Sequence, residues 1–257
     1  MRISYDNVRS WQERGSHMQL LKLLLLLAPL FGSEQVWEYF HIDDHPRQKS
    51  EIVSQVSSSS NKILLDVPLV KQNPELRYGC EVTSLTMVLN YAGVKVTKMD
   101  LFKDIEKDLD PLVRKNGNII KWGDPSTGFV GDMTGKKAGY AVFDRPMEDL
   151  VNKFLPERAV NLTNSSFHDL EKHVENGYPI VVWTTGDYRL PDRWESWEHN
   201  GRTIKTPLDL HAVVLVGFSK EHVYLNDPLS GKKNVKVNKK NFIDSWHALK
   251  SRAISYR

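Results

Sequence analysis

This chain of 257 residues has a single cysteine, Cys80. It therefore forms no internal disulfide and no cysteine-built zinc site, and it carries no C-x-x-C pair. Charge of one sign is also scarce. Thirty-five Lys and Arg stand against 32 Asp and Glu, a formal net charge of +3. No long basic block or RNP-type aromatic string is present, so a nucleic-acid partner is not expected, even though the C-terminal third is Lys-rich. Apolar runs long enough to span a bilayer, about 20 residues, are missing as well. The longest compact run, Leu23 to Phe31, follows Lys22 and has the length of a signal-peptide core. No small-residue cleavage pattern follows it, so an uncleaved anchor through residues 20–31 stands as the alternative. An ordinary buried helix is the plainer reading.

Around that run the first 60 residues look unlike a packed domain. Gly15–Met18 spells GSHM, a common cloning scar, which puts Met18 forward as the native start. Residues 1–33 are read as an N-terminal extension plus signal peptide or anchor. Residues 34–60 are polar, end in four serines, and read as a flexible linker. The expected localisation is secreted or membrane-anchored, outside the cytoplasm, with cytoplasmic retention as the competing reading. His41, Asp43, Asp44 and His45 are metal-capable, but they lie in this linker without helical spacing, and no metal site is expected there. With 40% hydrophobic and 26% charged residues overall, 61–257 has the composition of one sizeable globular domain.

Within that domain, Ile63–Val70 reads as a strand and 71–79 as a turn-rich loop. From Cys80 to Tyr91 the pattern becomes helical, with Val82, Leu85, Leu89 and Ala92 on one face and Gly93 at the expected C-terminal cap. Thr97 to Asp100 forms a capping box that opens a helix over about 98–108. Residues 114–140, with glycines at 117, 123, 128, 131, 135 and 139, read as a long loop. Met147–Phe154 and Ser166–Asn176 read as helices. Strands are then expected at Pro179–Thr185, His211–Phe218, His222–Asn226 and Asn234–Val237, and a closing helix at Asn238–Lys250. Helices come first and strands gather later, which points to an α+β fold with segregated layers.

The chemistry concentrates around Cys80. A lone cysteine is usually a small buried hydrophobe. Here it opens a helix directly after Gly79, where unpaired N–H groups and the helix dipole favour a thiolate. Gly79 would leave room for a substrate approaching the sulfur. Such a nucleophile needs a base oriented by a third group. His211 opens the strand HAVVLVGF, and Asp227 ends the following one, HVYLND. If the two strands pair antiparallel, both residues lie at the same end of the sheet, and Asp227 can hold one imidazole nitrogen while the other faces Cys80. His211 lies 131 residues and Asp227 147 residues beyond Cys80, inside the roughly 130–150 window for papain-type cysteine enzymes. Gln72, on the approach loop, has the amide an oxyanion hole requires, with the Cys80 N–H as its companion. Taken one at a time, each has a plainer role: surface amide, satisfied histidine, turn aspartate. The four aromatic residues Trp183, Tyr188, Trp194 and Trp197 and the several charged residues of 183–210 read either as a rim over the cleft or as a loop packed on the core.

The stretch DVPLVKQNPELRYGCEVTSLTMVLNYAG resembles the N-terminal signature of the bacterial C39-like cysteine peptidases, relatives of the bacteriocin-processing peptidases. The likeness continues through GDPSTGFVGDMTGKKAGYAVFDRP, YPIVVWTT, DLHAVVLVGF and VYLNDPLSG, over about residues 63–247. It implies a papain-like fold, with the nucleophile at the N-terminus of a helix packed on an antiparallel sheet. It also implies Cys80 as nucleophile, His211 as base, Asp227 as orienting carboxylate and Gln72 as oxyanion donor. The reaction expected is peptide-bond hydrolysis through a thioester, on a peptide or protein substrate, without metal or organic cofactor. A peptidoglycan amidase, endopeptidase or transamidase would use the same residues. A non-enzymatic peptide-binding module of the same family is the further alternative, although such modules usually lack the cysteine.

Overall fold

The computed structural model describes residues 62–257. The expected leader or anchor, the linker and the His41–His45 stretch lie outside the described residues. In chain order the elements begin with β1 (Ile63–Leu64), α1 (Cys80–Tyr91), α2 (Lys98–Asp104), β2 (Lys107–Asp108), β3 (Val113–Lys115), β4 (Asn118–Lys121) and β5 (Phe129–Val130). There follow α3 (Asp144–Phe154), β6 (Ala159–Asn161), α4 (Phe167–Glu175), β7 (Ile180–Thr185), β8 (Trp194–His199) and β9 (Arg202–Pro207). The chain closes with β10 (Leu210–Phe218), β11 (His222–Asp227), β12 (Lys232–Asn238), α5 (Lys239–Ala248) and β13 (Ala253–Tyr256).

The main sheet runs β12-β11-β10-β7-β13-β6, antiparallel throughout, with β1 pairing on the far end of β10. Both of its faces are covered. Val181, Trp183, Ala212, Val214 and Val216 point into a core shared with α1, α2 and α3. Their neighbours Ile180, Val182, Val213 and Leu215 point the other way, onto Leu170 and Val174 of α4 and Phe242 and Trp246 of α5. The continuous apolar runs in β7 and β10 have this cause: successive side chains face opposite sides of a strand, and here both sides exclude water. The layers are thus helix on sheet on helix around an antiparallel sheet, an α+β architecture.

α1 is buried almost all round, from Cys80 to Leu89, instead of showing one apolar face. Two of its buried hydroxyls are satisfied by backbone carbonyls, one across to β10 and one within the helix. Ser84 Oγ donates to the Ala212 carbonyl at 3.1 Å and Thr86 Oγ1 to the Val82 carbonyl at 2.8 Å. Gly93 adopts φ +89 just past the helix, where the left-handed turn favours glycine. The Thr97–Asp100 capping box is present, but α2 stops at Asp104 rather than 108, because Lys107–Asp108 pairs in parallel with β5.

Two segments differ more from expectation. Residues 113–121 form a β-hairpin, so the glycine-rich stretch is not one long loop. The Trp-rich segment likewise folds into the β8–β9 hairpin, which joins it in a second sheet of order β3-β4-β8-β9. Both hairpins turn on Asn-Gly pairs with positive φ at both positions: Asn116 51° and Gly117 85°, Asn200 46° and Gly201 75°. That geometry matches the right-handed twist of paired strands and is the favoured hairpin turn. Trp122, Tyr140 and Trp197 pack together beneath this sheet, with the Tyr140 and Trp197 rings edge-on at 5.4 Å. Ile63–Val70 is a strand only over its first two residues. Strands β6 and β13 were not foreseen. Among the described residues, no helix is long and apolar enough to cross a membrane.

Two glycines make the packing testable. Gly201 has positive φ but open space where a Cβ would sit, whereas at Gly131 a Cβ would lie 2.4 Å from the Ala138 carbonyl oxygen. Gly201→Ala should cost about 1 kcal/mol of backbone strain. Gly131→Ala should cost upwards of about 2 kcal/mol, because strain and overlap add. Urea unfolding of the two variants gives the comparison.

Candidate active site

Sheet register builds the site. β10 and β11 pair antiparallel, Val214 opposite Asn226, which brings the start of one strand beside the end of the other. His211 Nε2 and Asp227 Oδ1 meet at 2.8 Å, both side chains almost wholly buried. With Nε2–H donating to the carboxylate, Nδ1 is the nitrogen left free. Asp227 has further partners: the Leu229 N–H donates to Oδ1 at 2.9 Å and the Tyr188 hydroxyl to Oδ2 at 3.2 Å. Burial by itself would push its carboxyl up. The bond to and charge of His211, joined by Ser230 and the Leu229 N–H, outweigh this and hold it well below the usual carboxylate range.

Cys80 opens α1 as expected, and α1 lies along β10. Ser84, one turn further along α1, donates to the carbonyl of Ala212, the residue after His211, at 3.1 Å, which sets the Cys80 end of α1 beside the start of β10. The structure thus brings Cys80, His211 and Asp227 to one end of the sheet. Gln72 is buried in the loop that leads into Cys80. Its Nε2 donates to the Arg77 carbonyl at 2.8 Å, while its Oε1 is buried and has no partner among the described residues. Its backbone N–H donates to the Pro228 carbonyl at 3.0 Å. The Gln72 loop and the Asp227-Pro228 turn are therefore tied directly together.

Two expectations need correction. The thiol does not rest with a lowered pKa. Burial pushes the Cys80 thiol up, and the charge of Glu81 adds to it, outweighing the opposing effect of the Ala212 and Cys80 backbone N–H groups. The thiol donates to Glu81 Oε2 at 3.3 Å. Gly79 also serves packing rather than substrate access, because a Cβ there would meet Leu76 Cβ at 2.6 Å and the Met133 sulfur at 3.2 Å.

Tyr188 and Glu81 are site residues that sequence reasoning did not assign. Tyr188 holds φ 62°, strained for a bulky side chain, in a turn where Thr185 Oγ1 donates to the Arg189 carbonyl at 2.6 Å. Only the tertiary fold delivers its hydroxyl to Asp227. Glu81 did have a signal, since a carboxylate directly after Cys80 in a helix of apolar character is unusual.

Asp108, Asp110 and His199 bring three metal-capable atoms within 4.8 Å of one another. Their bonds already have a structural use. The Asp108 carboxylate accepts the N–H groups of Asp110 and Asp124 and the Thr127 hydroxyl, and His199 Nδ1 lies 3.1 Å from the Trp122 carbonyl. The cluster pins the 108–127 segment to the β8–β9 hairpin.

A helix-borne cysteine beside a sheet-borne His–Asp pair defines a papain-like α+β protein. Residues 64–254 match the model of the Peptidase_C39 like family, and the chain belongs to that family, which is of peptidase type. It is 38% identical over 192 residues to the uncharacterized protein YvpB of Bacillus subtilis (strain 168), covering 74% of each chain. It is also similar to the crystal structure of a protein from Bacillus anthracis described as a C39-like peptidase. There the TM-score is 0.70 and the identity 40%, over 76% of this chain and 97% of the other.

Because Asp227 titrates lower in the fold than in the unfolded chain, it adds stability above the unfolded value of about 3.9 and loses it as pH falls through the folded value. Wild type should exceed Asp227→Asn in unfolding free energy at neutral pH. The gap should narrow from about pH 4.5 downward, as read by urea unfolding across pH.

Proposed function

We propose that the protein is a cysteine peptidase in which Cys80 attacks a peptide carbonyl, His211 manages the protons, Asp227 orients His211 and Gln72 helps bind the oxyanion. The observation that carries this reading is the buried His211–Asp227 bond at the start of β10, the strand to which the Ser84–Ala212 bond fixes α1 one turn from Cys80. His211 Nδ1 takes the thiol proton as sulfur bonds to the carbonyl carbon, then returns it to the leaving amine. Water hydrolyses the resulting thioester and regenerates the thiol. The Cys80 N–H and the second amide proton of Gln72 Nε2, the first being held by Arg77, are the donors available to the oxyanion. Membership of a peptidase-type family supports the reading. The apolar run Leu23–Phe31 followed by a polar stretch supports action outside the membrane.

Cys80→Ala and His211→Ala should each abolish turnover of an unstructured peptide library read by mass spectrometry. Asp227→Asn should lower kcat by up to about 10⁴-fold, and Gln72→Ala by about 10²- to 10³-fold. Full turnover by Cys80→Ala would refute the assignment. For localisation, fractionation of cells expressing the chain from Met18 should place it outside the cytoplasm, and recovery in the cytoplasm would contradict that reading.

A further inference from the structure

Glu81 follows Cys80 directly in α1 and has no exposed surface. The second residue of a helix would ordinarily reach water. Here α1 is enclosed along most of its length, and the carboxylate is held inside by two bonds. Its Oε1 accepts the Val142 N–H at 3.1 Å, and its Oε2 accepts the Cys80 thiol at 3.3 Å. The thiol proton thus rests against Glu81, and the ionised carboxylate stands beside the place where thiolate charge must form. The two protonation states of Glu81 act oppositely on the sulfur. Ionised, it accepts S–H and repels a thiolate. Neutral, it removes that repulsion and can donate its O–H to the thiolate.

We propose that Glu81 is a positioning residue that holds Cys80 as the unreactive thiol while its own carboxyl is ionised and releases it when that carboxyl is protonated. This rests on the reading of Cys80 and His211 as the reacting pair and adds what sets the charge on that pair. The proton balance is internal: it leaves Cys80 Sγ for His211 Nδ1, giving thiolate and imidazolium, while the Glu81 proton stays on oxygen and bonds to sulfur.

The surroundings suit such a switch. Burial pushes the Glu81 carboxyl up to about 7, with no cation offsetting it. The ionisable groups that act on it or feel its charge are Cys80 and Tyr140 before α3. Tyr140 in turn feels Asp209 before β10 and Arg252, which pairs with Asp144 at 3.1 Å, and His211 stands on β10, along which α1 lies. The neighbouring elements contribute apolar Leu101 from α2, Met147 and Leu150 from α3, and Trp183 from β7. An ordinary thiol gains reactivity steadily with pH. This one should have its gain held back as Glu81 ionises.

Cys80 is the only cysteine, so thiolate absorbance and iodoacetamide labelling both report on it alone. The full chain is compared as wild type, Glu81→Gln, His211→Ala and the double variant, from about pH 5 to about pH 9. Gln keeps an acceptor for the Val142 N–H and presents a neutral group to sulfur. Glu81→Gln should label about tenfold faster than wild type at about pH 8, with its midpoint at lower pH. The peptidase rate of wild type should fall on the alkaline side, and that of Glu81→Gln should not. Coincident wild-type and Glu81→Gln curves that still depend on His211 would overturn the Glu81 proposal alone. Curves indifferent to His211 would overturn the Cys80–His211 pair on which it rests. Should Glu81→Gln fail to fold, infrared titration of the wild type decides. The S–H band should shift as the carboxyl ionises, and a band that ignores the ionisation overturns the proposal.

Discussion

The pairing of β10 with β11, with α1 laid along β10, sets every distance at the candidate site. One residue of slip between the strands would turn either His211 or Asp227 to the opposite face of the sheet. The register is secured away from the site. Alternate residues of β10 are committed to two different cores, Ala212, Val214 and Val216 to one and Val213 and Leu215 to the other. Slippage would bury nothing well on either side. Ser84 of α1 bonds the Ala212 carbonyl, so the helix that carries Cys80 is indexed to the residue that follows His211.

Burial gives the site its order and also its difficulty. Removing Cys80 and Glu81 from water disfavours both charged forms and leaves them joined by a thiol–carboxylate bond. The same burial around Asp227 has the opposite outcome, because His211 and three further donors compensate its charge. Two carboxylates in one small region are thus driven apart in acidity by what they bond to. Such divergence is often a mark of functional sites.

Parts of the chain were legible for local reasons. The α1 start follows from apolar spacing and the α2 start from its capping box, and the β7, β10 and β11 runs from dense β-branched composition. The order of Cys80, His211 and Asp227 with a single intervening turn was enough to place the last two at one sheet end. The Asn-Gly turns at 116–117 and 200–201 were equally local signals, sufficient in themselves to indicate the two hairpins. They were obscured because the flanking strands have mixed, largely exposed patterns. β6 and β13 were hidden for another reason: each is short and gains its bonds from partners distant in sequence.

By itself the sequence determined the α+β class, the helix that begins at Cys80 and the candidate residues Cys80, His211, Asp227 and Gln72. Capping, periodicity and turn chemistry act over a few residues and are written locally. Only the tertiary structure decided that α1 is enclosed along most of its length, that Glu81 receives the thiol, and that Tyr188 reaches Asp227. Burial and long-range hydrogen bonding depend on which segments pack together, and α1, the loop before α3 and β10 meet only when the chain is folded.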